Sequence, residues 1–197
     1  MAEIPDSSGL LDVDDSVLIV IDVQDAFLDK LPVDRAEGVL QRICWLVRLA
    51  VWKTVPLVVT AEEIAEQPVA QQLVSVLPAG THVHDKLSFG LAGQRDILEA
   101  VQVTGRQTAV LVGLETDVCV MQSALGLHAL GYRVAVVVDA TDSPSPGYDL
   151  GLERIRSEGL ITTSAKGLFY EWLGTVGEVN RFHRELPDMR ALAGFQL

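Results

Sequence analysis

The sequence predicts a doubly wound, Rossmann-like α/β fold. Short runs rich in Val and Ile recur along the chain: Ser16–Val23 (SVLIVIDV), Val55–Thr60 (VPLVVT), Ala109–Val112 (AVLV) and Arg133–Asp139 (RVAVVVD). They are continuous rather than alternating, the pattern of strands buried on both faces of a parallel sheet. Segments with apolar residues at helical spacing separate them, which implies helices on both faces and right-handed crossovers. With two shorter strands added, the expectation is a mainly parallel six-stranded sheet in the common order 3-2-1-4-5-6.

Taken in order, strand one carries a charge at its carboxyl end. Asp22 there either caps a turn or faces a site where strand ends converge. From Asp34 to about Lys53 the residues Val39, Leu40, Ile43, Val47, Ala50 and Val51 recur at helical spacing, with Asp34 as the expected cap. Cys44 belongs to this helix and reads as core packing. Pro56 stands near the start of strand two, where a missing N–H does least harm. A polar segment and a short helix over about Pro68–Leu77 lead to a short third strand, Thr81–Asp85, with Lys86–Gly90 as a loop and helix to about Val103.

After strand four, Gly113 permits a tight bend and Thr116 or Asp117 can cap the following helix. Cys119 then falls in the first helical turn, where unpaired backbone N–H groups and the helix dipole favour the nucleophilic thiolate. Beyond strand five come a Pro/Gly-rich loop (Asp142–Gly147), a helix near Leu150–Glu158, a short strand at Leu160–Thr163 and more helix after Ser164. No internal repeat or low-complexity segment is present.

The length of 197 residues fits one domain, 1–197, and a hydrophobic share of 49% implies a folded core. Fifteen basic side chains against 27 acidic ones give a net charge of −12, which disfavours nucleic acid or an anionic membrane surface as partner. Two cysteines, Cys44 and Cys119, allow at most one internal disulfide and fit a reducing compartment. Met1–Asp15 has acids where a signal peptide carries basic residues, and no apolar run reaches membrane-spanning length. A soluble, cytoplasmic protein is expected. No G-x-G-x-x-G follows strand one, which sets aside a dinucleotide-binding oxidoreductase.

In the expected strand order, strands one and four are neighbours, and their carboxyl ends flank the crevice where such sheets bind ligands. Asp22 and Cys119 therefore meet there, and Lys86, after strand three, can join them. The residues in this arrangement resemble the isochorismatase-like cysteine hydrolase superfamily: Leu18–Phe27 (LIVIDVQDAF), Asp85–Phe89 (DKLSF), and Gly113–Cys119 (GLETDVC) followed by Val136–Ala140 (VVVDA). Thr163–Phe169 (TSAKGLF) and the tail beyond it are similar to the isochorismatase-domain-containing branch.

The resemblance implies a catalytic triad of Asp22, Lys86 and Cys119, with the thiol as nucleophile, Asp22 as base and Lys86 as electrostatic anchor. It implies an oxyanion hole from the backbone N–H groups of Glu115 and Cys119, a cis Glu115–Thr116 peptide, and a homo-oligomer acting on a small-molecule substrate without a cofactor. Phe27 and Phe89, each after a strand, either line the substrate pocket or belong to the core. Gln24 and Asp139, beside strand ends, are expected to brace loops, and His128 to have a surface or packing role.

The departures bear on the chemistry. Nicotinamidases of this superfamily bind a metal through an Asp-x-His pattern and a further histidine after strand two, but this chain reads Thr60–Gln67 (TAEEIAEQ) there. His82 and His84 would share one face of a strand, yet two histidines are a thin set for zinc, so no metal is expected. Isochorismatase itself cleaves a vinyl ether and lacks the nucleophilic cysteine, so Cys119 points instead to an amide-like C–N bond. The alternative is a ligand-binding or oligomer-forming module of the same fold, weak or inactive as a catalyst.

Overall fold

The computed structural model describes residues 9–192 and 195–196. Six parallel strands form one sheet: β1 (Ser16–Ile21), β2 (Leu57–Glu62), β3 (Val83–Lys86), β4 (Thr108–Leu114), β5 (Arg133–Asp142) and β6 (Ile161–Thr163). Their order is β3-β2-β1-β4-β5-β6, as expected. All five pairings are parallel, so every strand ends on the same edge of the sheet.

Two apolar layers sandwich the sheet, and the pleat sorts β1 between them. Leu18 and Val20 face the layer built with α2 (Val33–Trp52), which follows the one-turn α1 (Asp25–Leu28). Val17, Ile19 and Ile21 face the opposite layer. After α3 (Gln71–Val74), that second layer is supplied by α4 (Arg95–Val103), α5 (Met121–Ala129) and α6 (Gly147–Ser157). The first layer is completed by α7 (Ala165–Leu173) and α8 (Val176–Glu185), where Trp45, Phe169 and Phe182 form an aromatic cluster with centroids 4.9–6.1 Å apart. Because side chains alternate across a strand, one continuous apolar run fills both layers. Among the described residues no helix is long and apolar enough to cross a membrane.

Several element boundaries differ from the sequence expectation, and two of these differences matter for the site. Pro56 stands before β2 rather than inside it, its carbonyl accepting from Leu18 N, and the strand runs on past Thr60 to Glu62. Likewise β3 includes Lys86, which pairs in register with Glu62 instead of opening a loop. Asp34 does not cap α2. Pro32 holds that place and Asp34 sits in the first turn, where its charge suits the helix dipole.

Gly113 is required by the close approach of β1 and β4. Its φ is +127°, and a Cβ there would fall onto the carbonyl oxygen of Ile21. The chain then makes a cis peptide at Leu114–Glu115. This corrects the expected Glu115–Thr116 position by one bond. Leu114 still pairs with Asp142 of β5, and Glu115 flanks the next turn.

Candidate active site

Four strand ends build the site. Asp22 follows β1 and is fully buried, with φ +50°, a left-handed conformation that aspartate tolerates better than most residues. Its backbone and side chain are both held: Asp22 N donates to Thr60 O at 3.1 Å, and Thr60 Oγ1 donates to Asp22 Oδ1 at 2.8 Å. The other oxygen, Oδ2, is thereby aimed at Lys86, whose Nζ lies 2.9 Å away. Both side chains of this ion pair are completely excluded from solvent.

Cys119 arrives on a π-type turn, Thr116–Val120, between β4 and α5. Neither Thr116 nor Asp117 caps the following helix as the sequence suggested. Both side chains instead tie the turn to the end of β5: Thr116 Oγ1 is 2.8 Å from Thr141 Oγ1, and Ser143 Oγ donates to Asp117 Oδ1 at 2.7 Å. Helix α6 packs directly on the far side, where Gly147 and Gly151 leave no room for a Cβ against Asp117. The turn is therefore clamped between β5 and α6, and Cys119 is presented to the strand ends with Lys86 Nζ 3.4 Å from its sulfur.

The structure thus brings together Asp22, Lys86 and Cys119, and it adds a residue that the sequence pattern does not single out. Glu62, the last residue of β2, has Oε2 3.7 Å from Cys119 Sγ and 3.7 Å from Lys86 Nζ. Gln24 fixes its backbone by accepting from Glu62 N at 2.7 Å and donating to Glu62 O at 2.8 Å, and it also donates to Gln67 O. Asp139 accepts from Ala165 N at the start of α7 at 2.7 Å, so both residues hold backbone.

Burial and charge set the protonation states. Burial raises the pKa of Asp22 above the usual carboxylate value, against the opposing pull of Lys86 and Thr60. Burial works against the Lys86 ammonium, but Asp22, joined by Cys119, outweighs it and raises that pKa. The Cys119 thiol is pushed up to about 12, first by burial and then by the Asp22 carboxylate, with Lys86 pulling down and Glu62 adding to the rise. Burial and the two carboxylates thus oppose the helix terminus, which favours a thiolate. A buried turn facing two carboxylates favours the protonated sulfur. Cys44 is partly buried in the core, and burial lifts its thiol to about 11.

The donors of Asp22, Glu62 and Cys119 lie within 4.8 Å of one another, a spacing that could hold a metal ion. The cation at their centre is Lys86, within 2.9–3.7 Å of all three. A metal would have to displace a buried, salt-bridged ammonium, so these donors fit one poorly. His82 and His84 stack edge to face with centroids 4.5 Å apart and line a separate groove with Val51, Leu57 and Pro78.

Beside the triad opens a cavity of about 190 Å³ lined by Glu62, Glu63, Lys86, Leu87, Ser88 and Phe89. Phe89 is exposed at its wall. Phe27 is buried in the core layer of α2, with the Lys30 ammonium 4.4 Å from its ring centroid. Lys30 also pairs with the Glu115 side chain at 3.1 Å, beside the cis peptide.

The strand order has a counterpart among known proteins. The isochorismatase domain family model matches residues 16–166. The chain belongs to the isochorismatase family. Isochorismatase domain-containing protein 2 of Bos taurus is 28% identical over 190 residues, covering 92% of this chain and 89% of that one. Isochorismatase family protein 2A of Dictyostelium discoideum is 34% identical over a shorter stretch of 94 residues, 46% of each chain. Among solved structures, the Escherichia coli YcaC gene product, described as an octameric hydrolase of unknown specificity, superimposes with a TM-score of 0.76 at 22% identity over 92% of this chain and 93% of that one. The isochorismatase family member described here therefore has the isochorismatase-like hydrolase fold.

Proposed function

We propose that this protein is a cofactor-independent cysteine hydrolase that cleaves an amide-like C–N bond of a small molecule through a thioester. The observation that carries the reading is the fully buried Asp22–Lys86 ion pair at 2.9 Å with the Cys119 sulfur 3.4 Å from the same ammonium, beside a cavity. A buried ion pair is costly to maintain, and this one faces a nucleophile instead of bracing the core.

The chemistry follows from the protonation states. Asp22 takes the thiol proton as sulfur attacks the substrate carbonyl carbon, and Lys86 stabilises the sulfur anion while it forms. The tetrahedral oxyanion is held by the backbone N–H groups of Glu115 and Cys119. The protonated Asp22 then gives its proton to the departing nitrogen, the C–N bond breaks, and the thioester remains. Water, deprotonated by Asp22, attacks that thioester; the acid leaves, and sulfur recovers its proton. A raised Asp22 pKa suits a group that both accepts and donates a proton near neutral pH.

The test is trapping. A panel of small primary amides is assayed for ammonia release with and without hydroxylamine, with intact mass measured during turnover. The expected results are hydroxamate formation, an acyl adduct on Cys119, and loss of both in Cys119→Ala. Ammonia release that persists in Cys119→Ala would overturn the thioester route. We also propose a homo-oligomer, for which the octameric YcaC is the support.

A further inference from the structure

We infer that Glu62 sets the substrate class: this site takes amides bearing a cationic or hydrogen-bond-donating group and rejects those bearing a carboxylate. The inference rests on the hydrolase reading for the reacting bond, but its own argument is the charge around the cavity.

Among the described residues, the only basic side chain on the cavity wall is Lys86, and its charge is already matched by Asp22 at 2.9 Å. The remaining charges there are the carboxylates of Glu62 and Glu63. With the thiol neutral, the wall thus presents net negative charge and no cation free to receive a substrate carboxylate. An anion entering would lose its hydration and find repulsion in place of a partner.

Glu62 is a built feature and not a mobile surface charge. It ends a strand paired with β3, both of its backbone polar groups bond to Gln24, and its Oε2 faces the reacting sulfur at 3.7 Å. The side chain is 24% exposed and opens onto the cavity, while Oε1 makes no hydrogen bond among the described residues. The Glu62 carboxylate thus brings an acceptor to the wall of the cavity. A substrate ammonium, amino or ureido N–H would satisfy it, whereas a substrate lacking such a donor would leave it desolvated and unpaired.

Three amides of similar size separate the charges: β-alaninamide (cationic), propionamide (neutral) and succinamate (anionic). Each is measured as a substrate by ammonia release and, independently of turnover, as a protectant of Cys119 against iodoacetamide. The expected order of protection is β-alaninamide, then propionamide, then succinamate, with at least a tenfold gap in half-protecting concentration between the first and last. Glu62→Gln should narrow that gap about tenfold, and Glu62→Lys should reverse the order. Both variants are checked for a wild-type unfolding midpoint. Equal protection by β-alaninamide and succinamate in the wild-type protein, no protection by any of the three, or an order unchanged in both variants would overturn the inference. The two readings fail separately. The predicted order of protection without ammonia release leaves the charge selection standing and removes the hydrolase, whereas turnover indifferent to charge does the opposite.

Discussion

Replacing Asp22 with Asn should make Cys119 more reactive and the protein less active. The substitution keeps the shape of the side chain and the acceptor for Thr60 Oγ1, and it deletes one negative charge from a site in which the acid and the thiol sulfur lie within 4.8 Å of each other. At that separation and an effective dielectric of about 20, the lost repulsion against a thiolate is worth about 3 kcal/mol, roughly 2 pKa units. Lys86, 3.4 Å from the sulfur, then acts on the thiol opposed only by burial and Glu62. The thiol midpoint should fall from about 12, and iodoacetamide labelling of Cys119 at pH 8 should rise about tenfold, because the gain in thiolate is partly offset by the weaker nucleophilicity of a less basic sulfur. Hydrolysis should move the other way. Without a group to carry the proton to the leaving nitrogen, turnover of the best amide should drop by about 10²–10⁴. Peptide mass spectrometry of Cys119 labelling against pH, with Cys44 as the internal reference, measures the first effect, and ammonia release measures the second. Labelling that slows in parallel with hydrolysis would refute the reasoning, because it would mean that Asp22 promotes the thiolate and does not suppress it.

Lys86→Met should be the most destabilising change in the site: it leaves Asp22 buried without its counter-ion, at a cost of about 3–5 kcal/mol, read as a lower urea midpoint at pH 7. If the midpoint were unchanged, the ion pair would carry no structural weight. The acid limb of the activity profile should lie above 3.8, since the ionised Asp22 is the working form, burial raises its pKa, and activity is therefore lost as pH falls through that raised value. An acid limb at or below the ordinary value would contradict a buried general base. Gly151→Ala would place a Cβ 2.7 Å from Asp117 Cα and 2.8 Å from Asp117 N, backbone that cannot swing aside. Overpacking of that kind costs about 1–3 kcal/mol and should displace the turn carrying Cys119, so activity should fall further than stability; equal activity in a folded variant would show that the clamp on the turn is slack.

The parts of the site that could be read along the chain are those fixed by local pattern. Asp22 is visible because an acid interrupts an uninterrupted apolar strand, and Cys119 because a glycine bend follows strand four. The strand order then places both at one crevice. Glu62 was hidden by a two-residue boundary. The apolar run ends at Thr60, so Ala61 and Glu62 read as loop, but pairing with Asp85 and Lys86 extends the strand to carry the second carboxylate up to the sulfur.

The environment of the thiol is set by residues remote in the chain. A helix terminus acts on Cys119 locally and favours the anion, but the groups that decide its proton come from the ends of β1, β2 and β3, separated from it by 97, 57 and 33 residues. Two of them are acids and one is a base, and the sulfur is buried, so together they favour the proton on sulfur. That same surplus of negative charge gives the thiol proton somewhere to go once a substrate arrives, and it leaves the cavity wall with an acceptor in place of a cation. On this view proton handling and substrate choice follow from one arrangement, in which Lys86 balances Asp22 and leaves Glu62 over.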